Sequence, residues 1–385
     1  MLAYAGSRSW HDPYQSDDLN TVVPYKTSAG YLFPNPVGSG CLPGPPNCSL
    51  TLGALGLPVK FIGGTGCTAS GAGTGCITAN QGQVPGLLIN SHTAQIQSTI
   101  FPVSSWYNSL QLRVDKRMSH GLQMGGSFTW SKSLDTSSSS FASDNYSNNP
   151  SAITPYFDLA LDKGLSDFNV TKNLSIDGLW QVPTPASLRG PLEWIAGGWG
   201  VGANLEASDG IPLWPLMVAG DSVGMDITGA YAVPNFVPGC QATFPSSGRT
   251  GGLQYINTAC YTLPQAPSMA YYNAAKPLGC DKSFAFPTCI NLLGNDPRNA
   301  IIGPGLFNLD FSVTKDNHIR KISESFNIQF RAEFFNITNR VNYAPPIANN
   351  LGSLNTDGSV AQNFGILTKT QVPMRQIQFA LKAIW

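Results

Sequence analysis

The chain closes on Gln376-Ile377-Gln378-Phe379-Ala380-Leu381-Lys382-Ala383-Ile384-Trp385, and this stretch alternates with a period of two. Ile377, Phe379, Leu381, Ala383 and Trp385 share one face. Gln376, Gln378, Ala380 and Lys382 share the other, with Ile384 as the apolar exception. Successive side chains of a strand point to opposite sides, so the pattern predicts a strand with one apolar and one polar surface. Two settings suit such a strand. One is the edge of a soluble β-sandwich; the other is the closing strand of a barrel whose apolar face meets lipid and whose polar face meets a wet lumen. The aromatic terminus favours the barrel, and the rest of the chain decides.

The same alternation recurs upstream. Leu110, Leu112 and Val114 oppose Gln111, Arg113, Asp115 and Arg117 within Trp106 to Met118. Leu122, Met124, Gly126, Phe128 and Trp130 oppose Gln123, Ser127, Thr129 and Ser131, and Leu174, Ile176, Gly178 and Trp180 oppose Asn173, Ser175, Asp177 and Gln181. Trp199 to Ser208, Phe307 to Thr314 and Phe326 to Phe334 behave alike, and Leu2 to Ser7 reads as the end of a further strand. Convincing helix periods are absent, and Gly and Pro punctuate the connections. The expectation is all-β.

The connections alternate in length. Long segments occupy about 8–104, 132–169, 209–305 and 337–374. Short ones lie at Ser119-His120-Gly121, Pro183 to Gly198 and Asp316 to Ser323. A soluble sandwich has no reason to gather every long loop at one end. A transmembrane barrel does, with long extracellular loops and short periplasmic turns. The predicted fold is therefore an antiparallel transmembrane β-barrel, partial, with about eight strands.

Composition agrees. Charged residues make up only 11% of the chain, and 22 Lys plus Arg balance 22 Asp plus Glu. A chain without a charged surface or a basic field is not expected to bind nucleic acid. No apolar run approaches the ~18 residues of a membrane helix, which leaves a barrel as the membrane option. Met1 to Ala5 lacks a basic, apolar leader, and Arg8, Trp10, His11 and Asp12 follow at once, so no signal peptide is expected here.

All eight cysteines fall in the two longest loops, with neighbours Cys41 and Cys48, Cys67 and Cys76, Cys240 and Cys260, Cys280 and Cys289. An even count confined to loops suggests disulfides made in an oxidising compartment, with a connectivity that sequence alone leaves open. The segments Gly38 to Gly82 and Gly220 to Gly294 are rich in Gly, Pro, Ser and Thr, and structureless loops of this length are rarely packed core. Ser137 to Ser140 reads as a loop tip.

Catalytic signals are missing. His11, His92, His120 and His318 show no ligand spacing, and the Gly-rich run 64–76 has no flanking strand or helix to make a phosphate cradle. Neither enzyme activity nor a cofactor or metal is expected. The candidate luminal polar residues are Arg113, Asp115, Glu206, Asp310, Arg331 and Glu333; Ile377, Phe379, Leu381 and Trp385 mark the barrel-closing strand.

Five stretches carry a resemblance: YNSLQLRVDKRMSHGLQMGGSFTWSKSLD (107–135), GLSDFNVTKNLSIDGLWQVP (164–183), IIGPGLFNLDFSVTKD (301–316), FNIQFRAEFFNITNRVNYAPP (326–346) and FGILTKTQVPMRQIQFALKAIW (364–385). In this order they resemble the carboxy-terminal part of TonB-dependent outer-membrane receptors of the Oar-like type, and LAYAGSRS (2–9) resembles an internal barrel strand of that family. The resemblance implies a Gram-negative outer-membrane location and a barrel of about 22 strands around an amino-terminal plug. This chain is then expected to supply barrel wall and outer vestibule, without plug or export signal. Implied partners are outer-membrane lipid, the missing plug and strands, the TonB system through the full-length receptor, and the barrel-assembly machinery through the terminal strand. Two other readings remain: a self-contained eight-stranded structural or adhesive barrel, and a secreted β-sandwich binding module.

Overall fold

Period-two segments with aromatic and β-branched side chains on one face satisfy their backbones by pairing with neighbours. In the computed structural model they do so in one antiparallel sheet. The structure describes residues 1–15, 19, 25–27, 30–33, 98–138, 158–185, 187, 190–217, 233–245, 253–262, 291–292, 294–319, 323, 326–346, 351–354 and 359–385. Eight strands form the wall in sequence order: β1 (Leu2–Gln15), β2 (Thr99–Ser119), β3 (Leu122–Asp135), β4 (Lys172–Gln181), β5 (Trp199–Ser208), β6 (Leu306–His318), β7 (Asn327–Phe335) and β8 (Gln376–Ile384). Gly164–Leu165 adds a short rung beside β3. Among the described residues, the outer edges of β1 and β8 have no strand partner, so the sheet is open rather than closed.

The register carries one face across the whole wall. Leu2 pairs with Leu112, Leu112 with Phe128, Phe128 with Leu174, Leu174 with Ala207 and Ala207 with Phe307. Further along, Phe311 pairs with Phe334 and Phe334 with Ile377. Directly opposed residues of an antiparallel pair point the same way, so these rows merge into a continuous apolar surface. Nothing covers it among the described residues: Phe379 is 67% exposed, Leu381 74%, Trp130 57% and Val114 55%.

The buried core lies elsewhere. Leu213, Met217, Tyr255, Ile256, Cys260, Tyr261 and Ile301, from the β5–β6 connection and its end, pack with Leu351, Leu354, Ala361, Phe364 and Leu367 of the β7–β8 connection. Asn235–Phe236 pairs with Tyr261–Thr262, and Tyr261 meets Phe236 and Phe364 edge-on. Cys240 and Cys260 form a disulfide within this cap. The expectation that Gly220 to Gly294 contributes no packed core is thus corrected. Its core residues come in short apolar groups such as Tyr255-Ile256 and Cys260-Tyr261 between turn formers, so no periodic signal marks them. Cys41, Cys48, Cys67, Cys76, Cys280, Cys289, His92 and the run 64–76 lie outside the described residues.

Three other expectations change. β1 continues past Ser7 to Gln15 and β2 begins at Thr99, which shortens the first long loop at both ends. Register shifts flank Asp12, and His11 has a positive φ of 60°. A bulge of this kind reverses the side-chain parity and hides the alternation. The second long loop likewise starts later, because β3 runs on to Asp135. The connection from β4 to β5 holds a short helix, α1 (Pro191–Ala196), started by Pro at its first turn and ended at Gly197. Six residues are too few for a helical period to register.

The hairpin of β2 and β3 turns at His120 (φ 52°) and Gly121 (φ 79°). Positive φ at both central residues matches the twist of the flanking strands. Beyond the point where β7 stops pairing with β6, Asn342 takes the place of a strand. Its Oδ1 accepts from the Phe307 N–H (2.9 Å) and its Nδ2 donates to the Phe307 carbonyl (2.9 Å). Replacing Asn342 with Ala strips both bonds from a buried rung, an expected loss of about 1–3 kcal/mol. Faster amide exchange at Phe307, with exchange at the β2–β3 hairpin unchanged, is the measurement that checks it.

Candidate functional site

The face opposite the apolar rows is mainly polar from β2 to β8. One row runs Asp115, Gly125, Asp177, Asn204, Asp310 across β2 to β6. The row beside it runs Arg113, Ser127, Ser175, Glu206, Asn308. Farther on, Ser312 pairs with Glu333 and Glu333 with Gln378, while Thr314 pairs with Arg331. All six candidate polar residues therefore share one face. They do not form a single cluster, because neighbouring strands lie roughly 5 Å apart and the six are spread over β2, β5, β6 and β7.

On β2 and β7 charge is neutralised within the strand. Arg113 makes a forked contact with Asp115 (Nε–Oδ2 2.8 Å), and Arg331 meets Glu333 (Nε–Oε1 3.1 Å), two residues along in each case. Asp310 accepts from Asn308 Nδ2 (3.0 Å) and from the Asn336 N–H (2.8 Å). Glu206 accepts from Asn204 Nδ2 (3.5 Å). Ile377, Phe379, Leu381 and Trp385 fall on the apolar side, and among the described residues β8 pairs with β7 alone.

Above the polar face, at the end where the long connections emerge, a second polar centre joins them. Arg298 is buried between Asp135 at the head of β3 (Nη1–Oδ1 2.6 Å) and Asp167 (Nη2–Oδ1 2.9 Å). It also donates to the Asp162 carbonyl (2.9 Å) and Ser138 Oγ (2.7 Å). Asn299 donates to Asp167 Oδ1 and to the Leu165 carbonyl. Burial alone works against the guanidinium charge, but Asp135, Asp167 and Asp162 outweigh it and hold the Arg298 pKa above its ordinary value. This clamp fastens the β3–β4 connection to the β5–β6 connection. It escaped sequence reasoning, although an Arg set between Pro297 and Asn299 in a charge-poor connection was the available signal.

Asp296, two residues away, behaves differently. Its backbone carbonyl accepts from Trp214 Nε1 (3.4 Å), whereas its Oδ2 has no hydrogen-bond partner among the described residues. Burial pushes its carboxyl up to about 8. Burial also raises the Tyr261 phenol, with Asp296 adding to the shift.

The sequence matches the family described as Outer membrane beta barrel domain over residues 1–378. The chain belongs to that family. No curated protein matches it. In an outer-membrane barrel domain the uncovered apolar rows are the lipid-facing surface, so the wall lies in the outer membrane. A soluble sandwich would bury those rows against a second sheet, and none covers them among the described residues.

Two outcomes follow for the cap. Arg298→Leu leaves Asp135 and Asp167 buried without their cation, an expected loss of about 3–5 kcal/mol. It should appear as protease cleavage within the β3–β4 and β5–β6 connections while the wall strands stay protected. Asp296 keeps a proton in the folded cap that the unfolded chain releases near the ordinary carboxyl value of 3.8. Cap stability should therefore fall as pH rises from about 4 to about 8 and level off above that. Asp296→Asn should flatten this slope in a denaturant series read at several pH values.

Proposed function

We propose that this chain forms part of the wall and outer vestibule of an Oar-like TonB-dependent transporter, through which a ligand is captured and passed inward. The observation that carries the reading is the polar face, which nothing covers among the described residues. Arg113 and Asp115, 66% and 55% exposed, project from a sheet whose edges do not meet. A self-contained eight-stranded barrel would close and fill its interior with side chains. A broad, wet, open arc suits a segment of a wide barrel, with a plug or water against the polar rows. The cross-linked cap then stands on the extracellular side, where Cys240–Cys260 meets an oxidising environment. The short turns and the terminal strand face the periplasm, where the assembly machinery reads that strand. No catalytic group enters this role.

The test is made in outer membranes of cells that express the protein. An antibody raised against the cap should detect a polypeptide that also yields plug peptides by mass spectrometry. The periplasmic domain of TonB should capture it after crosslinking. Detection of a 41.0 kDa species alone, without plug peptides and without TonB capture, would overturn the transporter reading and favour a self-contained surface barrel.

A further inference from the structure

The few cations of this chain are not scattered over the lipid-facing surface. On β1, Arg8 shares the parity of Leu2 and Tyr4 and pairs with Trp106. On β3, Lys132 shares the parity of Phe128 and Trp130 and pairs with Asn108. On β4, Lys172 shares the parity of Leu174 and pairs with Trp130. Lys163, just before the Gly164–Leu165 rung, places its Nζ 5.0 Å from the Trp106 ring centre. The Arg8 guanidinium lies 4.1 Å from the ring of Trp10 and 5.5 Å from that of Trp106. All four cations are exposed, and among the described residues none has an ion-pair partner. Asp209, just past the end of β5, donates its N–H to the Lys172 carbonyl and makes no ion pair with the Lys172 ammonium.

Height on the wall gives the group its meaning. Lys132 stands ten residues above Leu122, the foot of β3, and Lys172 nine above Gln181, the foot of β4. At about 3.3 Å per residue and a tilt near 45°, these spans are roughly 20–25 Å, the height of the apolar band of an outer-membrane barrel. The cations therefore sit at the upper rim of that band, among Trp10, Trp106 and Trp130. At the lower rim the lysines on the same face are spent internally. Lys116 donates to the Ser119 carbonyl (3.3 Å), and Lys315 donates to the carbonyls of Trp194 (2.8 Å) and Gly197 at the end of α1.

We propose that Arg8, Lys132, Lys163 and Lys172 form a site for the phosphate groups of an anionic glycolipid in the outer leaflet, with lipid A chemistry. The proposal rests on the outer-membrane reading with the long connections outside. Unpaired cations at headgroup level attract phosphate, the tryptophans fix two of them over apolar chains, and the rim is open on the lipid side. A phosphorylated sugar headgroup matches this row better than a single phospholipid. It presents more than one phosphate across a span of neighbouring strands, and Arg8 to Lys172 cover β1 to β4.

The experiment uses the full chain in neutral phosphatidylcholine nanodiscs titrated with diphosphoryl lipid A, dephosphorylated lipid A, phosphatidylglycerol or inorganic phosphate. Binding is followed by native mass spectrometry. Diphosphoryl lipid A should bind roughly tenfold or more tightly than the dephosphorylated form. Replacing Arg8, Lys132, Lys163 and Lys172 together with Gln should remove that preference, while Lys116→Gln leaves it unchanged. Equal binding of both lipid A forms overturns the site. So does an undiminished preference in the fourfold variant, equal binding of phosphatidylglycerol, or displacement by millimolar inorganic phosphate. A fluorescent amino acid at Leu205, on the apolar face, and at Asn204, on the polar face, separates this failure from that of the barrel reading. If a lipid-phase quencher reaches Leu205 and misses Asn204 while lipid A fails to bind, only the glycolipid site falls.

Discussion

The constraint on which everything else rests is that a backbone inside hydrocarbon finds no water to bond with. Each N–H and C=O in the membrane needs a partner from the chain itself. The antiparallel ladder from β1 to β8 supplies those partners strand by strand, and its register decides the rest. Because opposed residues point the same way, one register aligns every apolar row on the lipid side and every polar row on the other. A slip of one residue in any strand would bring polar residues such as Asp177 or Glu206 onto the lipid face. Among the described residues the outer edges of β1 and β8 have no strand partner, so there the same requirement falls on whatever adjoins the wall.

A wall built this way buries almost nothing against itself. The buried apolar residues gather in the cap instead, where Leu213, Ile256, Leu351 and Phe364 pack and Cys240–Cys260 limits the unfolded chain's freedom. The two halves of the molecule thus depend on different physics. The strands gain their stability from lipid and ladder hydrogen bonds, the cap from ordinary burial in water. Arg298 links the two, since Asp135 belongs to β3 while Asp167 and Arg298 belong to connections.

The parts legible in the sequence are those with a period. The eight strands, and the two faces of β2 to β8, could be read from alternation, and the pairing of Cys240 with Cys260 coincides with the sequence neighbours. The extension of β1 beyond Ser7 was hidden because the bulge at His11 to Tyr14 reverses parity. The cap core was hidden for another reason. Tyr255-Ile256, Cys260-Tyr261 and Phe364 lie in short apolar groups between turn formers, and only tertiary packing brings them together. The same holds for Arg298 and its acids, which are 163 residues apart in the case of Asp135. Asp177 was visible on a polar face, but its place in a row with Asp115 and Asp310 depends on register.

That row gives the polar face a direction. Arg113 and Arg331 each carry their own acid two residues away, so β2 and β7 are locally balanced. Between them, the polar faces of β4, β5 and β6 present Asp177, Glu206 and Asp310 and no Lys or Arg. With strands roughly 5 Å apart, Asp177 and Asp310 stand about 10 Å from each other across Asn204, close to a Debye length at physiological salt. Their fields therefore overlap in any lumen that excludes bulk water. A segment docked against β4 to β6 meets a negative stripe flanked by balanced strands, and it must bring cations or leave water in place. Neutral packing there would strand these carboxylates, which is the costly alternative.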